Sequence, residues 1–224
     1  MCGRFVGFRS LEELKESFPI DRAACQVVEN YNVAPSQEVL VIVKQADENW
    51  LDRFHWGLVP FWAKDISIGS KMINARSESV AEKPSFRNAF KKRRCLILAD
   101  GFYEWKGEKG AKQPVFITLP DKKPFAFAGL WETWNNKGAE KVPYKSCTII
   151  TTQASQSIRS IHHRMPVILK AEAYDNWLEP KNQNTSKLQD ILKKEIHTEF
   201  INYPVSKQVN SVRNNDPSCL NPTN

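Results

Sequence analysis

The chain has 224 residues, 41% hydrophobic and 25% charged, the proportions of a soluble globule that can bury a core in one large domain or two small ones. No run approaches the ~20 apolar residues of a membrane span, the N-terminus lacks the charged-then-apolar pattern of a secretory signal, and the five cysteines are too irregularly spaced for a disulfide framework or a zinc site. The net charge of +7 and the seven tryptophans fit a polyanionic partner, and tryptophan beside lysine and arginine suits single-stranded nucleic acid, although tryptophan is equally a core residue.

Ser10-Leu11-Glu12-Glu13 is a capping box. Leu11, Leu14 and Phe18 then share a helical face, which predicts a helix over Ser10 to Ser17 stopped by Pro19. Asp21 to Asn30 has no clear pattern. Tyr31 to Ser36 reads as a loop, because Pro35 pushes Ala34 out of the α region. Glu38 to Lys44 is a strand apolar on both faces, and Leu51 to Val59 is another, followed by a loop at Pro60 to Asp65. Lys71 to Ser77 has no strong period. Ser85 to Lys91 reads as a short helix running into Lys91-Lys92-Arg93-Arg94, which is more often a solvated helix end than a binding patch.

A strand at Cys95 to Ala99 leads to a tight turn at Asp100-Gly101, and Phe102 to Trp105 returns as a strand. Val115 to Leu119, Phe125 to Trp131 and Tyr144 to Thr152 are further strands, separated by glycine-containing turns at Lys106 to Lys112 and Asn135 to Lys141. Ser155 to Ile161 reads as a helix, His162 to Pro166 as a kink and Val167 to Leu169 as a short strand. Ala171 to Leu178 is helical by composition. Ser186 to Glu195 is the clearest helix, with Ser186 as its cap. The polar tail from Tyr203 to Asn224 is expected on the surface. With no repeat and no linker, strands that dominate scattered helices predict a single α+β domain.

Candidate chemistry begins at Met1-Cys2-Gly3-Arg4-Phe5. Loss of Met1 would leave Cys2 as a 1,2-aminothiol, which condenses with an aldehyde to an imine and closes a thiazolidine ring. The α-amine titrates near ~8, and a cation such as Arg4 two residues on could lower the thiol. The alternative is a small buried residue opening a first strand. Glu104 lies among Phe102, Tyr103 and Trp105. It suits a proton shuttle with a raised pKa, or else the solvent face of an edge strand. In a regular strand Trp105 points away from it. His162 is suited to acid–base work or is held by a backbone carbonyl, and His163 should point elsewhere. Asn74 and Arg76 stand two apart and read as amide and phosphate contacts or as a polar loop. No phosphate loop, zinc motif or nucleophile elbow appears, and neither metal nor cofactor is expected.

These residues fall within a larger set. Met-Cys-Gly-Arg-Phe at the start is joined by Asn-Val-Ala-Pro at Asn32 to Pro35 and Trp-Gly-Leu-Val-Pro at Trp56 to Pro60. Ile-Asn-Ala-Arg-Ser-Glu at Ile73 to Glu78, Ala-Asp-Gly-Phe-Tyr-Glu-Trp at Ala99 to Trp105 and Ile-His-His-Arg-Met-Pro at Ile161 to Pro166 complete it. The set, in order across nearly the whole chain, resembles the SRAP (SOS-response-associated peptidase) family, whose members crosslink to abasic sites in single-stranded DNA.

The resemblance implies a mixed, partly barrel-like sheet surrounded by short helices, one domain over residues 1–224, or 2–224 once the chain removes its own Met1. It implies that Cys2 forms the thiazolidine, that Asn74 holds the terminal amine or the opened sugar, and that Glu104 and His162 move protons. Arg4, Arg76 and Arg164 would hold phosphates, and Trp62 and Trp105 would wedge or stack at bases. The expected partner is single-stranded DNA containing abasic sites, met by a monomer in the cytoplasm, at the nucleoid in a bacterium. The alternatives are a cysteine peptidase of N-terminal-nucleophile type acting in trans and a plain single-strand binder.

Overall fold

The computed structural model describes residues 2–108, 110–135 and 143–223. In chain order the strands are β1 (Phe5–Gly7), β2 (Arg22–Ala23), β3 (Asn30–Val33), β4 (Glu38–Gln45), β5 (Glu48–Trp56), β6 (Asn74–Arg76) and β7 (Arg94–Ala99). Then follow β8 (Gly101–Lys106), β9 (Gln113–Thr118), β10 (Phe125–Trp134), β11 (Tyr144–Gln153), β12 (Arg164–Pro166), β13 (Ile168–Leu169) and β14 (Ile201–Pro204). The α-helices are α1 (Leu11–Ser17), α2 (Arg87–Lys92), α3 (Tyr174–Leu178) and α4 (Thr185–Lys194).

Strands β11, β10, β7, β4 and β5 are neighbours in that order, and β5 returns to β11 through the parallel pairs His55↔Ser146 and Trp56↔Cys147. The sheet therefore closes into a ring, which removes its open edges. Alternate residues of these strands face opposite ways. Val41, Val43, Cys95, Ile97, Phe127 and Ile149 fill the interior. Ile42, Leu96, Leu98, Ala126, Ala128 and Ile150 pack outward beneath the helices. Apolar residues on both faces explain the unbroken apolar run of β4 and why β7 is buried along its whole length.

The second sheet runs β14-β9-β8-β1-β3. One face, with Phe5, Phe102, Val115 and Ile117, joins the core of the ring. The other, with Val6, Tyr103 and Phe116, is covered by Val205, Val209 and Cys219 from the C-terminal segment.

Much of this follows the sequence pattern. Ser10 caps α1 as expected: its hydroxyl accepts from Glu13 N–H, and the Glu13 carboxylate accepts from Ser10 N–H at 2.9 Å. β4, β7, β9, β10 and β11 form where the apolar runs place them, and Gly107 and Gly110 take the positive φ of the turn after β8. The expected turn at Asn135 to Lys141 lies, beyond Asn135, outside the described residues.

Several expectations are corrected. Asp100-Gly101 does not make a hairpin: β7 belongs to the ring and β8 to the second sheet. The crossing is held by the Asp100 carboxylate, which accepts from Phe8 N–H at 2.8 Å and Arg9 Nε at 2.7 Å. A Cβ at Gly101 would lie 2.2 Å from the Phe116 ring, so only glycine fits where the sheets meet. Residues 30–33 are strand, because pairing with β1 overrides the local loop signal. Ser155 to Ile161 is a succession of turns closed on the Ser155 and Ile158 carbonyls, and the expected kink at Met165-Pro166 is strand β12, paired with β11. Asn184 caps α4, accepting from Ser186 and Lys187 N–H. The tail is no surface appendage, since Val205, Val209 and Cys219 are fully buried.

Candidate active site around the N-terminal cysteine

Pairing places the chemistry. β1 runs antiparallel to β8, with Phe5 opposite Phe102 and the Arg4 carbonyl accepting from Tyr103 N–H at 2.9 Å. Glu104 lies two residues beyond Phe102, on the same face of β8, so it faces the interior where Cys2 sits. β11 carries the other half. β6 pairs with it in parallel, Asn74 opposite Ile149, and β12 pairs antiparallel, Arg164 opposite Gln153. Asn74 and the His162 segment thus meet the N-terminus from either side of one strand.

Cys2 is wholly buried and counts among the core residues, as its alternative reading had it. Burial pushes its thiol well above the usual range, and the nearby Glu104 charge adds to that; the Arg4 backbone N–H opposes them. Asn74 Nδ2 donates to the Cys2 carbonyl at 2.8 Å, while its buried Oδ1 has no partner. Glu104 is 4% exposed, which rules out the solvent face of an edge strand. Burial raises its pKa, and the charge of Lys112 is among the effects that lower it.

His162 is half-buried, and burial lowers its pKa, with the Arg164 backbone opposing. Its Nδ1 lies 2.9 Å from Arg164 N and 3.0 Å from Arg164 O, the backbone-held arrangement given as its alternative. That ties the Nδ1 side of the ring to the backbone. Contrary to expectation, His163 does not turn away: its ring stacks on His162 at 4.4 Å. Asn74 and Arg76 are on strand β6, not a loop, and Arg76 is exposed.

Three expected nucleic-acid contacts have other duties. The Arg164 guanidinium is buried and forked onto Glu78 at 2.6 and 3.1 Å, with further bonds to Thr151 O and Oγ1 at 2.7 and 3.2 Å. In this structure it braces Glu78 against Thr151 of β11. Arg4 Nη1 donates to Asn32 Oδ1 and Val209 O, each at 2.6 Å, and its guanidinium lies 5.7 Å from the Trp105 ring. It therefore faces away from the Cys2 thiol and cannot lower it. Trp105 is on the face opposite Glu104, as strand alternation requires, and donates to Asn210 Oδ1 at 2.8 Å. Trp62 is 48% exposed and remains available.

These motifs in this arrangement agree with the family comparison: a model described as SOS response associated peptidase (SRAP) matches residues 1–212. The chain belongs to the SRAP family. The abasic site processing protein YoqW of Bacillus subtilis is 45% identical over 223 residues, covering 98% of this chain and 99% of YoqW. The abasic site processing protein YedK of Escherichia coli is 30% identical, with 99% of this chain and 100% of YedK covered. Among solved structures, a Bacteroides thetaiotaomicron protein superposes with a TM-score of 0.82 at 24% identity over 99% of this chain and 100% of its own, which establishes the fold.

Within this SRAP chain, sequence reasoning missed four groups. Lys112 acts electrostatically on both Glu104 and His162, and nothing in the sequence singles out one lysine in a polar turn. Asn32 is 1% exposed, accepts from Arg4, and donates toward the carbonyls of Val209, Ser211 and Asn214 at 3.3, 3.0 and 2.7 Å. An asparagine leading into Val-Ala-Pro was visible, but its partners lie some 180 residues away. Glu78 and His163 were within quoted motifs and were given no role. Among the described residues, no cluster of three or more His, Cys, Asp or Glu could hold a metal ion, and no helix is long and apolar enough to cross a membrane.

Proposed function

We propose that the protein traps abasic sites in single-stranded DNA as a covalent thiazolidine formed by Cys2. Removal of Met1, by the chain itself, frees the Cys2 α-amine. The amine attacks the aldehyde of the opened sugar, and the Glu104 carboxyl protonates the departing hydroxyl as water. The Cys2 sulfur then adds to the imine carbon, and the thiol proton is taken up at Glu104 or at the former imine nitrogen. Two bonds form at the aldehyde carbon and one water leaves.

The observation that carries this reading is the asparagine at the N-terminal carbonyl. Asn74 Nδ2 anchors Cys2 O, while Oδ1 is a buried acceptor without a donor, a condition that calls for an explanation. A freed Cys2 amine would be a fitting donor, held with its lone pair aimed at an incoming aldehyde. The raised thiol tells against a first attack on peptides in trans, because the thiolate is the nucleophile; toward the imine, the S–H proton passes to a neighbouring base as the sulfur adds. His162 would serve the sugar oxygens, Arg76 and Lys112 the phosphates, and Trp62 a neighbouring base.

The test is intact mass, before and after mixing with an oligonucleotide bearing one abasic site. Expected are loss of Met1 and a heat-stable adduct of protein plus oligonucleotide minus water, absent in Cys2→Ala. An equally heat-stable adduct in Cys2→Ala, or full competence with Met1 retained, would overturn the proposal.

A further inference from the structure

A second feature lies outside the cysteine site. The loop after β5 carries two exposed aromatics, Trp62 and Phe61, and the Phe61 ring is 57% exposed. Phe61 lines a groove of about 370 Å³ with Asn88, Lys91, Lys92, Arg93 and Glu132. This is the basic stretch at the end of α2, and the fold divides its four cations. Arg94 is buried and donates from Nη1 to the carbonyls of Phe90 and Lys91, at 2.9 and 2.6 Å. It thereby satisfies the end of α2, a task exposed lysines often perform. Arg93 pairs with the buried Glu132 at 2.7 Å through Nη2, while its buried Nε has no acceptor. Lys91 and Lys92 are exposed, with no ion-pair partner among the described residues.

The groove therefore offers an exposed aromatic side chain and two ammonium groups without an ion-pair partner among the described residues. That set matches a nucleotide: a base stacks on an aromatic ring, and lysines hold its phosphate as point charges. We propose that this groove takes an undamaged nucleotide of the same DNA strand, its base on Phe61 and its phosphate between Lys91 and Lys92. The proposal rests on the reading of the protein as a single-strand binder and extends its footprint beyond the crosslinked sugar.

The test measures noncovalent binding to an oligothymidylate without abasic sites across a salt series, which leaves crosslinking out of the readout. Each phosphate contact contributes about 0.7 to the log–log salt slope on single strands. Lys91→Gln with Lys92→Gln should make the slope shallower by about 0.7, the share of one phosphate, and Phe61→Ala should weaken binding about fivefold or more with the slope unchanged. Lys187→Gln with Lys193→Gln removes the same charge from exposed positions on α4 and should leave the slope alone; thermal melts verify folding. An unchanged slope in the α2 double variant, or an equal fall in the α4 control, overturns the groove. Failure of wild type to form any abasic adduct overturns the proposed function instead, so the two failures are told apart.

Discussion

Replacing Arg164 with methionine separates a buried brace from a phosphate ligand. The side chain is 8% exposed and holds both oxygens of Glu78 together with Thr151 O and Oγ1. Methionine fills similar space but leaves the Thr151 carbonyl without this donor. Breaking a buried pair by removing one partner costs about 3–5 kcal/mol. Glu78 is 48% exposed, so water recovers part of its solvation, and the low end, about 3 kcal/mol, is expected. For a chain of this size that corresponds to a Tm fall of about 6–12 °C. Burial alone would raise Glu78, but the bond to Arg164 leaves its carboxyl below the usual range. A depressed carboxylate contributes stability above its unfolded pKa and loses it as pH falls through the folded value. The gap between wild type and Arg164→Met in urea denaturation should therefore narrow below about pH 4. A variant that melts like wild type, yet shows a salt slope for single-stranded DNA shallower by about 0.7, would refute the brace.

Asn32→Ala removes the buried Nδ2 donor shared by the carbonyls of Val209, Ser211 and Asn214, of which Val209 O keeps Arg4 Nη1 and Ser211 O keeps Asn214 N–H; it should cost about 1–3 kcal/mol and speed proteolysis after Val205, checked by denaturation and limited digestion. Gly101→Ala places a Cβ 2.2 Å from the Phe116 ring and 2.9 Å from Ile117 O, so destabilisation of about 3 kcal/mol or more is expected from overpacking at the crossing between sheets, read as a lowered urea midpoint. Because burial lowers His162, it charges only below its unperturbed value near ~6.5. Protonation of the Cys2 amine lowers adduct formation on the acid side in both proteins; the further fall that His162 adds below ~6.5 should be missing in His162→Gln, and a profile identical in both proteins would show that the imidazole takes no part.

What the sequence alone determined is what local chemistry determines. The capping box at Ser10 starts α1 because both its bonds close within four residues. The apolar run at β4 reads as a strand buried on both faces, since period-two alternation leaves no polar side there, and β7, β10 and β11 read as strands from their own runs. The motif set, read through its resemblance to a family, drew Cys2, Asn74, Glu104 and His162 together before any geometry was known. Tertiary structure decided the rest, wherever the deciding partner is distant in the chain. Whether Glu104 faced water or the interior depended on the register of β8 against β1, and whether Arg164 and Arg4 faced DNA or protein depended on Glu78 and on Val209. A side chain carries its charge in the sequence, but the acceptor that commits that charge is supplied by another strand, and only the closed ring and the tail packed over the second sheet bring the two within bonding distance.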